Sequence, residues 1–213
     1  MKEGAGPEKA VPEKGRSDRK RLAILEAGRE AFVRSGYGGA SMDEIASVAK
    51  VSKQTVYKHF ADKQNLFTEI ISGDMDRRAD ELVRALTDSE KTEGDLGQLA
   101  RRHIASIVKP EVMRVRRMVI GEADRFPELA RAWFQTGIDR GLAKLAERIA
   151  ELARRGLLRV EDPVLAAQHF NWLVLSIPMN FAMFDPEAEF TQDELEHYAD
   201  EGVRVFLAAY GVD

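Results

Sequence analysis

The stretch Ser41–Phe60, SMDEIASVAKVSKQTVYKHF, decides the fold. Ser41 and Glu44 fit the S-x-x-E capping box, in which the hydroxyl satisfies an orphan backbone N–H and the carboxylate reaches back to the cap. A helix is therefore predicted to start at Met42 and to bury Ile45, Ala46 and Ala49. Ser52 offers a second N-cap oxygen, and Lys53 to Phe60 makes the next helix. In that helix only Val56 and Phe60, one turn apart, need a core, which leaves Lys53, Gln54, Thr55, Tyr57, Lys58 and His59 projecting outward. Two short helices joined by a tight turn, the second presenting polar and basic side chains, form the helix-turn-helix arrangement suited to a DNA groove.

From about Asp18 to Gly73, above all over GYGGASMDEIASVAKVSKQTVYKHFADKQNLF, the chain resembles the N-terminal domain of the TetR/AcrR family of one-component transcriptional repressors. The likeness is carried by G-Y-x-x-x-S, I-A-x-x-A, V-S-K-x-T-x-Y and F-x-x-K-x-x-L-F. It implies an all-α protein with a helix-turn-helix DNA-binding domain over residues 18–78 and a helical effector-binding and dimerisation domain over 79–213. It further implies a homodimer that represses from a palindromic double-stranded DNA operator and is released by a small-molecule effector. Two positions depart from the family pattern: Lys50 stands where Gly is usual in the turn, and Gln54 where a small residue is usual. A left-handed Lys50 costs about 1–2 kcal/mol, because only Gly visits that region freely.

Base reading is expected from Lys53, Gln54 and Thr55, since the first residues of a recognition helix reach base edges. Ser41, Tyr57, His59 and Lys63, assisted by Lys58, are candidate phosphate contacts, Ser52 belongs to the same candidate DNA-binding set, and Lys63 also resembles the family's phosphate ligand. Charge is divided to match. Residues 1–60 carry 12 Lys plus Arg against 8 Asp plus Glu, and the remainder 20 against 28, so a basic end sits on an acidic body. Arg16, Arg19, Lys20 and Arg21 could follow the DNA backbone or simply solvate a helix start. Residues 1–17, with mixed charge, Gly and Pro and no apolar run, read as a disordered arm and not as a signal peptide.

Enzyme readings find little support. There is no cysteine, and the four histidines are scattered without metal-ligand spacing. Neither G-x-S-x-G nor a Gly-rich phosphate loop occurs, so no catalytic or metal site and no cofactor is expected. The most apolar run, Trp172 to Phe184, is interrupted by Ser176, Pro178 and Asn180 and falls short of the roughly 20 residues of a membrane span. A soluble cytoplasmic protein is expected, with no membrane partner.

About nine helices account for the chain. The first is predicted over Asp18–Ser35, with Leu22, Leu25, Gly28 and Phe32 on its core stripe and Gly36 as its stop. The fourth runs from Lys63 to about Leu86 and connects the two domains, so induction is expected to act through it. Asp95 with Gln98, Pro110, Pro127, Asp162-Pro163 and Thr191 with Glu194 mark later helix starts. From Pro127 a long helix repeats Leu129, Trp133, Ile138, Leu142, Leu145, Ile149 and Leu152 until Gly156. His103, Met113, Arg117, Ile120, Trp133, Phe134, Phe170 and Asn171 combine apolar walls with a few polar groups and are the candidate ligand residues. The resemblance implies that such an effector site lies between these helices. Dimerisation is expected from the last two helices, through Trp172 and the stripe Leu195, Tyr198, Gly202, Val205 and Ala209. Two other readings stay open: a helix-turn-helix interaction or architectural protein without ligand response, and a small-molecule-modifying enzyme.

Overall fold

The computed structural model describes residues 13–84 and 92–212, with side chains over 15–73 and 94–212. Its helices are α1 (Glu13–Gly39), α2 (Met42–Val48), α3 (Lys53–His59), α4 (Lys63–Arg84), α5 (Thr92–Ile107), α6 (Pro110–Gly121), α7 (Pro127–Trp133), α8 (Arg140–Arg154), α9 (Pro163–Phe184) and α10 (Gln192–Tyr210). A π-helical stretch, Phe134–Asp139, joins α7 to α8 without a break, so the described helices form nine rods. The described residues contain no strand beyond one isolated antiparallel bridge between Leu158 and Gly211. The chain divides into two compact units between Ile70 and Ile71, a boundary that falls within α4.

In the first unit, α1 starts at Glu13 and not at Asp18, so residues 13–17 are helical instead of belonging to a disordered arm. Residues 1–12 lie outside the described ones. The buried stripe is Ile24, Ala27, Gly28, Ala31 and Phe32. Leu22, expected in the core, is 63% exposed, because the i, i+3, i+4 sequence that starts at Ile24 sets the phase. Gly28 allows α1 and α4 to approach: a Cβ there would lie 2.9 Å from Ile70 Cδ1 and 3.2 Å from Leu66 Cδ2. Gly36, at φ 70, ends the regular helix as expected. Phe32, Tyr37 and Phe67 then form an aromatic triad, with edge contacts at 5.1 and 5.4 Å between ring centroids. Such contacts are worth about 0.5–1.5 kcal/mol each beyond their buried area.

The second unit buries Leu96, Leu99 and Ile104 of α5, Leu145, Ile149 and Leu152 of α8, Phe170 and Val174 of α9, and Val203 and Phe206 of α10 in one core. Full burial of each such side chain is worth about 1.5–3 kcal/mol. The Phe170 and Phe206 rings meet edge to face at 5.3 Å. Arg101 of α5 grips Asp200 of α10 with two bonds of 2.8 Å. Asp162 caps α9 by accepting from the Val164 and Leu165 N–H groups, and Thr191 with Glu194 completes a capping box for α10. Asp95 is no cap: α5 already begins at Thr92, which leaves Asp95 buried inside the helix. The expected apolar positions Met75, Ala79, Leu82, Val83 and Leu86 of helix four fall outside the described side chains.

Candidate functional site

The first candidate site is the exposed face of α3. Ser41 Oγ accepts from the Glu44 N–H at 3.1 Å, and Ser52 Oγ accepts from the Thr55 N–H at 3.1 Å, so both motif helices start where the sequence places them. Only half of the α2 capping box forms, because the Glu44 carboxylate pairs with Arg34 of α1. Between the helices Lys50 adopts φ 53. Its N–H donates to Ser47 O at 3.1 Å, and the Val51 N–H donates to Ala46 O at 3.0 Å. These are the paired bonds of a Schellman turn with Lys50 at its left-handed position. The same turn closes α8, where Gly156 at φ 72 and Leu157 bond to Ala153 O and Leu152 O.

Val56 and Phe60 are buried, while Lys53, Gln54, Tyr57 and Lys58 are exposed and Thr55 and His59 half-buried. The Thr55 hydroxyl lies 2.8 Å from that of Ser52. Lys53 Nζ donates to Asp43 Oδ2 at 2.9 Å, and this bond and the carboxylate charge raise its pKa. Lys63 departs from the sequence expectation of a phosphate contact. Its ammonium donates to Tyr37 O at 2.7 Å and Ala40 O at 3.0 Å, and lies 4.7 Å from the Tyr37 ring centroid. Its donors are turned inward, where they tie the start of α4 to the turn before α2.

A second candidate site is a cavity within the helical body, with an empty volume of about 850 Å³ counting its open mouth. Apolar walls come from Ile107, Val112, Trp133, Ile138, Leu142, Leu145, Trp172, Leu175 and Met179, with Gly137 and Gly141 opening space on the π-helical side. The polar lining is His103, Ser106, Arg116 and Asn171. His103 Nε2 lies 2.9 Å from Asn171 Oδ1, and burial, partly offset by that bond, lowers the His103 pKa. The imidazole is therefore neutral at pH 7.

Of the expected ligand residues, His103, Trp133 and Asn171 line this cavity, and five others do not. Met113 and Phe170 are buried in the core, Phe170 against Phe206. Ile120 and Phe134 are 53% and 47% exposed on outer helix faces. Arg117 donates to the Ala182 carbonyl of α9, while its neighbour Arg116 faces the cavity, one residue being a rotation of about 100° on a helix. Trp172, expected at a dimer seam, lines the cavity and is also 41% exposed.

The expected dimer stripe is also corrected. Gly202 is buried inside the chain, where a Cβ would lie 3.0 Å from Leu173 O and 3.1 Å from Val174 Cα, so it serves the α9–α10 contact. Leu195 and Tyr198 are half-buried against the same core, and only Val205 and Ala209 of the stripe are exposed. Among the described residues, α9 carries a run of large exposed apolar side chains that includes Leu173, Ile177, Phe181 and Phe184, the last two 61% and 89% exposed. An apolar helix does not reveal from its sequence which side its own chain covers. Among the described residues no group of His, Asp or Glu could hold a metal ion, and no helix is long and apolar enough to cross a membrane.

Residues 24–70 match the profile of bacterial regulatory proteins of the tetR family, and residues 94–212 match the C-terminal domain of AefR-like transcriptional repressors. A solved TetR-family transcriptional regulator from Mesorhizobium loti is similar over 92% of this chain and 99% of its own, with 45% identity and a TM-score of 0.85. The flavonoid-responsive regulator FrrA is similar over 91% of this chain and 98% of its own, with 27% identity and a TM-score of 0.76. The transcriptional activator FasR of Mycolicibacterium smegmatis is 38% identical over 84 residues, which span 39% of this chain and 36% of that protein. The helix-turn-helix geometry, the helical body and these likenesses agree: the chain belongs to the TetR family of transcriptional regulators, with a body of the AefR-like type.

Proposed function

We propose that the protein is a cytoplasmic repressor that binds a palindromic DNA operator as a homodimer and is released by a small molecule held in the body cavity. The exposed α3 face carries this reading: Lys53, Gln54, Tyr57 and Lys58 stand clear of a helix whose buried residue is Val56. Lys53, Gln54 and Thr55 read bases at the helix start, with Gln54 pairing to adenine. Ser41, Tyr57, Lys58 and His59 contact phosphates. Asp43 holds Lys53 in the free protein, and a DNA phosphate or base edge replaces it in the complex.

Ligand response is supported by the cavity between α5, α6, the α7–α8 rod and α9, and by the response to flavonoids that gives FrrA its name. An architectural protein has no use for an open cavity with two tryptophans in its wall. Release needs an effector that prefers the DNA-free conformation, by about 5.5 kcal/mol to move the population from 99:1 to 1:99. The decisive experiment is selection of DNA from a random pool by the purified protein. Enrichment of a two-fold symmetric sequence, bound by a dimer in sedimentation, is the expected result. Recovery of unrelated fragments with equal affinity would overturn sequence-specific operator binding.

A further inference from the structure

Among the described residues the cavity wall holds one full charge, and it is positive. Arg116 places its guanidinium 5.1 Å from the Trp133 ring centroid, and its Nη1 donates to Met179 Sδ at 2.7 Å. A thioether is a weak, uncharged acceptor, and a guanidinium has five N–H donors to satisfy. No Asp or Glu lines the cavity, and none pairs with Arg116 among the described residues. Burial alone pushes the Arg116 pKa down, with no carboxylate raising it, yet an arginine stays protonated at neutral pH.

Among the described residues nothing else in the wall supplies an anion. His103 is bonded to Asn171 Oδ1, and the Ser106 hydroxyl is directed to the His103 carbonyl at 2.8 Å. A partly buried charge without a counter-ion is costly unless a partner arrives with the opposite sign. Arginine is also the side chain whose planar fork matches a carboxylate with two parallel bonds.

We propose that Arg116 is the anion-recognising group of the cavity and that its ligand is a small amphipathic organic acid. The carboxylate pairs with the guanidinium, and the hydrocarbon or aromatic body lies along Trp133, Ile138, Leu142 and Leu175. Arg116 is held over the Trp133 ring and against Met179, so its fork is positioned before the acid arrives, and an amine is repelled. This assignment rests on the reading of the cavity as the effector site.

The chain's two tryptophans, Trp133 and Trp172, both line this cavity, so intrinsic tryptophan fluorescence reports its occupancy directly. The full-length protein is titrated with phenylbutanoate, phenylbutanamide and phenylbutylamine, which share a body and differ in charge. Phenylbutanoate is expected to bind at least about tenfold more tightly than the amide, with the amine weakest, as a charge-assisted pair requires. In Arg116→Met the acid-to-amide ratio falls to about one, and Arg116→Lys retains part of it, since an ammonium keeps the charge without the fork. The wild-type comparison stands even if a variant does not fold. Equal affinity for acid and amide overturns the assignment of Arg116 and leaves an effector cavity in place. No fluorescence response to any of the three probes overturns both.

Discussion

α3 and α9 both present open faces, but the two are exposed for opposite reasons. On α3 the outward residues are Lys53, Gln54, Tyr57 and Lys58, which water solvates well. On α9 they are Leu173, Ile177, Phe181 and Phe184, which water does not favour, so the free chain carries a standing drive to cover them. Exposure alone therefore says little about function. The chemistry of the exposed atoms is the better guide, and we propose a polyanion as the partner of α3 and another apolar surface as that of α9.

Adding a charge to the apolar face is the largest way to break this contrast. Phe181→Glu is expected to leave the monomer folded, because the side chain is already open, and to abolish the dimer in sedimentation. Operator affinity then falls by about 100-fold or more as the advantage of binding two half-sites together is lost. A variant that stays dimeric would refute the assignment of the α9 face.

The covered side of the same helix gives the control. Gly202→Ala puts a methyl group 3.0 Å from the Leu173 carbonyl oxygen, which is backbone and cannot swing aside. A loss of about 1–3 kcal/mol is expected in urea unfolding, typical of overpacking. Gly141→Ala inside α8 meets nothing within 4 Å and should instead stabilise by about 0.5–1 kcal/mol in the same measurement, because it removes glycine's entropic cost in a helix. On α3, Gln54→Ala is expected to cost about 1–3 kcal/mol at one operator position while leaving other positions ranked as before. Equal loss on every operator variant would remove Gln54 from base reading.

The smaller tests concern how each region is held. Lys50→Gly removes the left-handed penalty in the turn before α3 but adds chain entropy to the unfolded state, for a net gain of about 0.5–1 kcal/mol by denaturation. Gly156→Ala at the equivalent turn after α8 reverses the sign. For His103, burial holds the folded pKa below its ordinary 6.5, so the unfolded chain takes up the proton first. Stability should be level above that value and decline as pH falls through it, and the decline should be shallower in His103→Gln.

These tests follow the line between what the sequence discloses and what it conceals. The α2–α3 motif was legible because its signals are local: Ser41 and Ser52 cap the residues that follow them, and Val56 and Phe60 sit one turn apart. The cavity was legible only in part. His103, Trp133 and Asn171 line it as expected, but Arg116 faces inward in place of Arg117, since helix phase is fixed by packing among α5, α6, α8 and α9 and not by one helix alone. Lys63 reads in sequence as a DNA contact because its carbonyl partners, Tyr37 and Ala40, are distant in the chain. The exposed side of α9 was hidden for the same reason, because an apolar side chain reads alike whether its own chain or another covers it.

The π-helical stretch Phe134–Asp139 can be read as one residue inserted into a continuous α-helix, and the five-residue step from Trp133 to Ile138 is its trace in the sequence. Counting that residue as extra brings Leu129 and Trp133 onto the same face as Leu145, Ile149 and Leu152. A deletion of Gly137 would then close the bulge into ordinary helix and leave the core residues of α8 in phase, whereas a deletion at Ala143 would turn everything after it by about 100°. Because Gly137 and Ile138 also line the cavity, this is a place where single-residue insertions and deletions reshape the ligand wall without disturbing the fold.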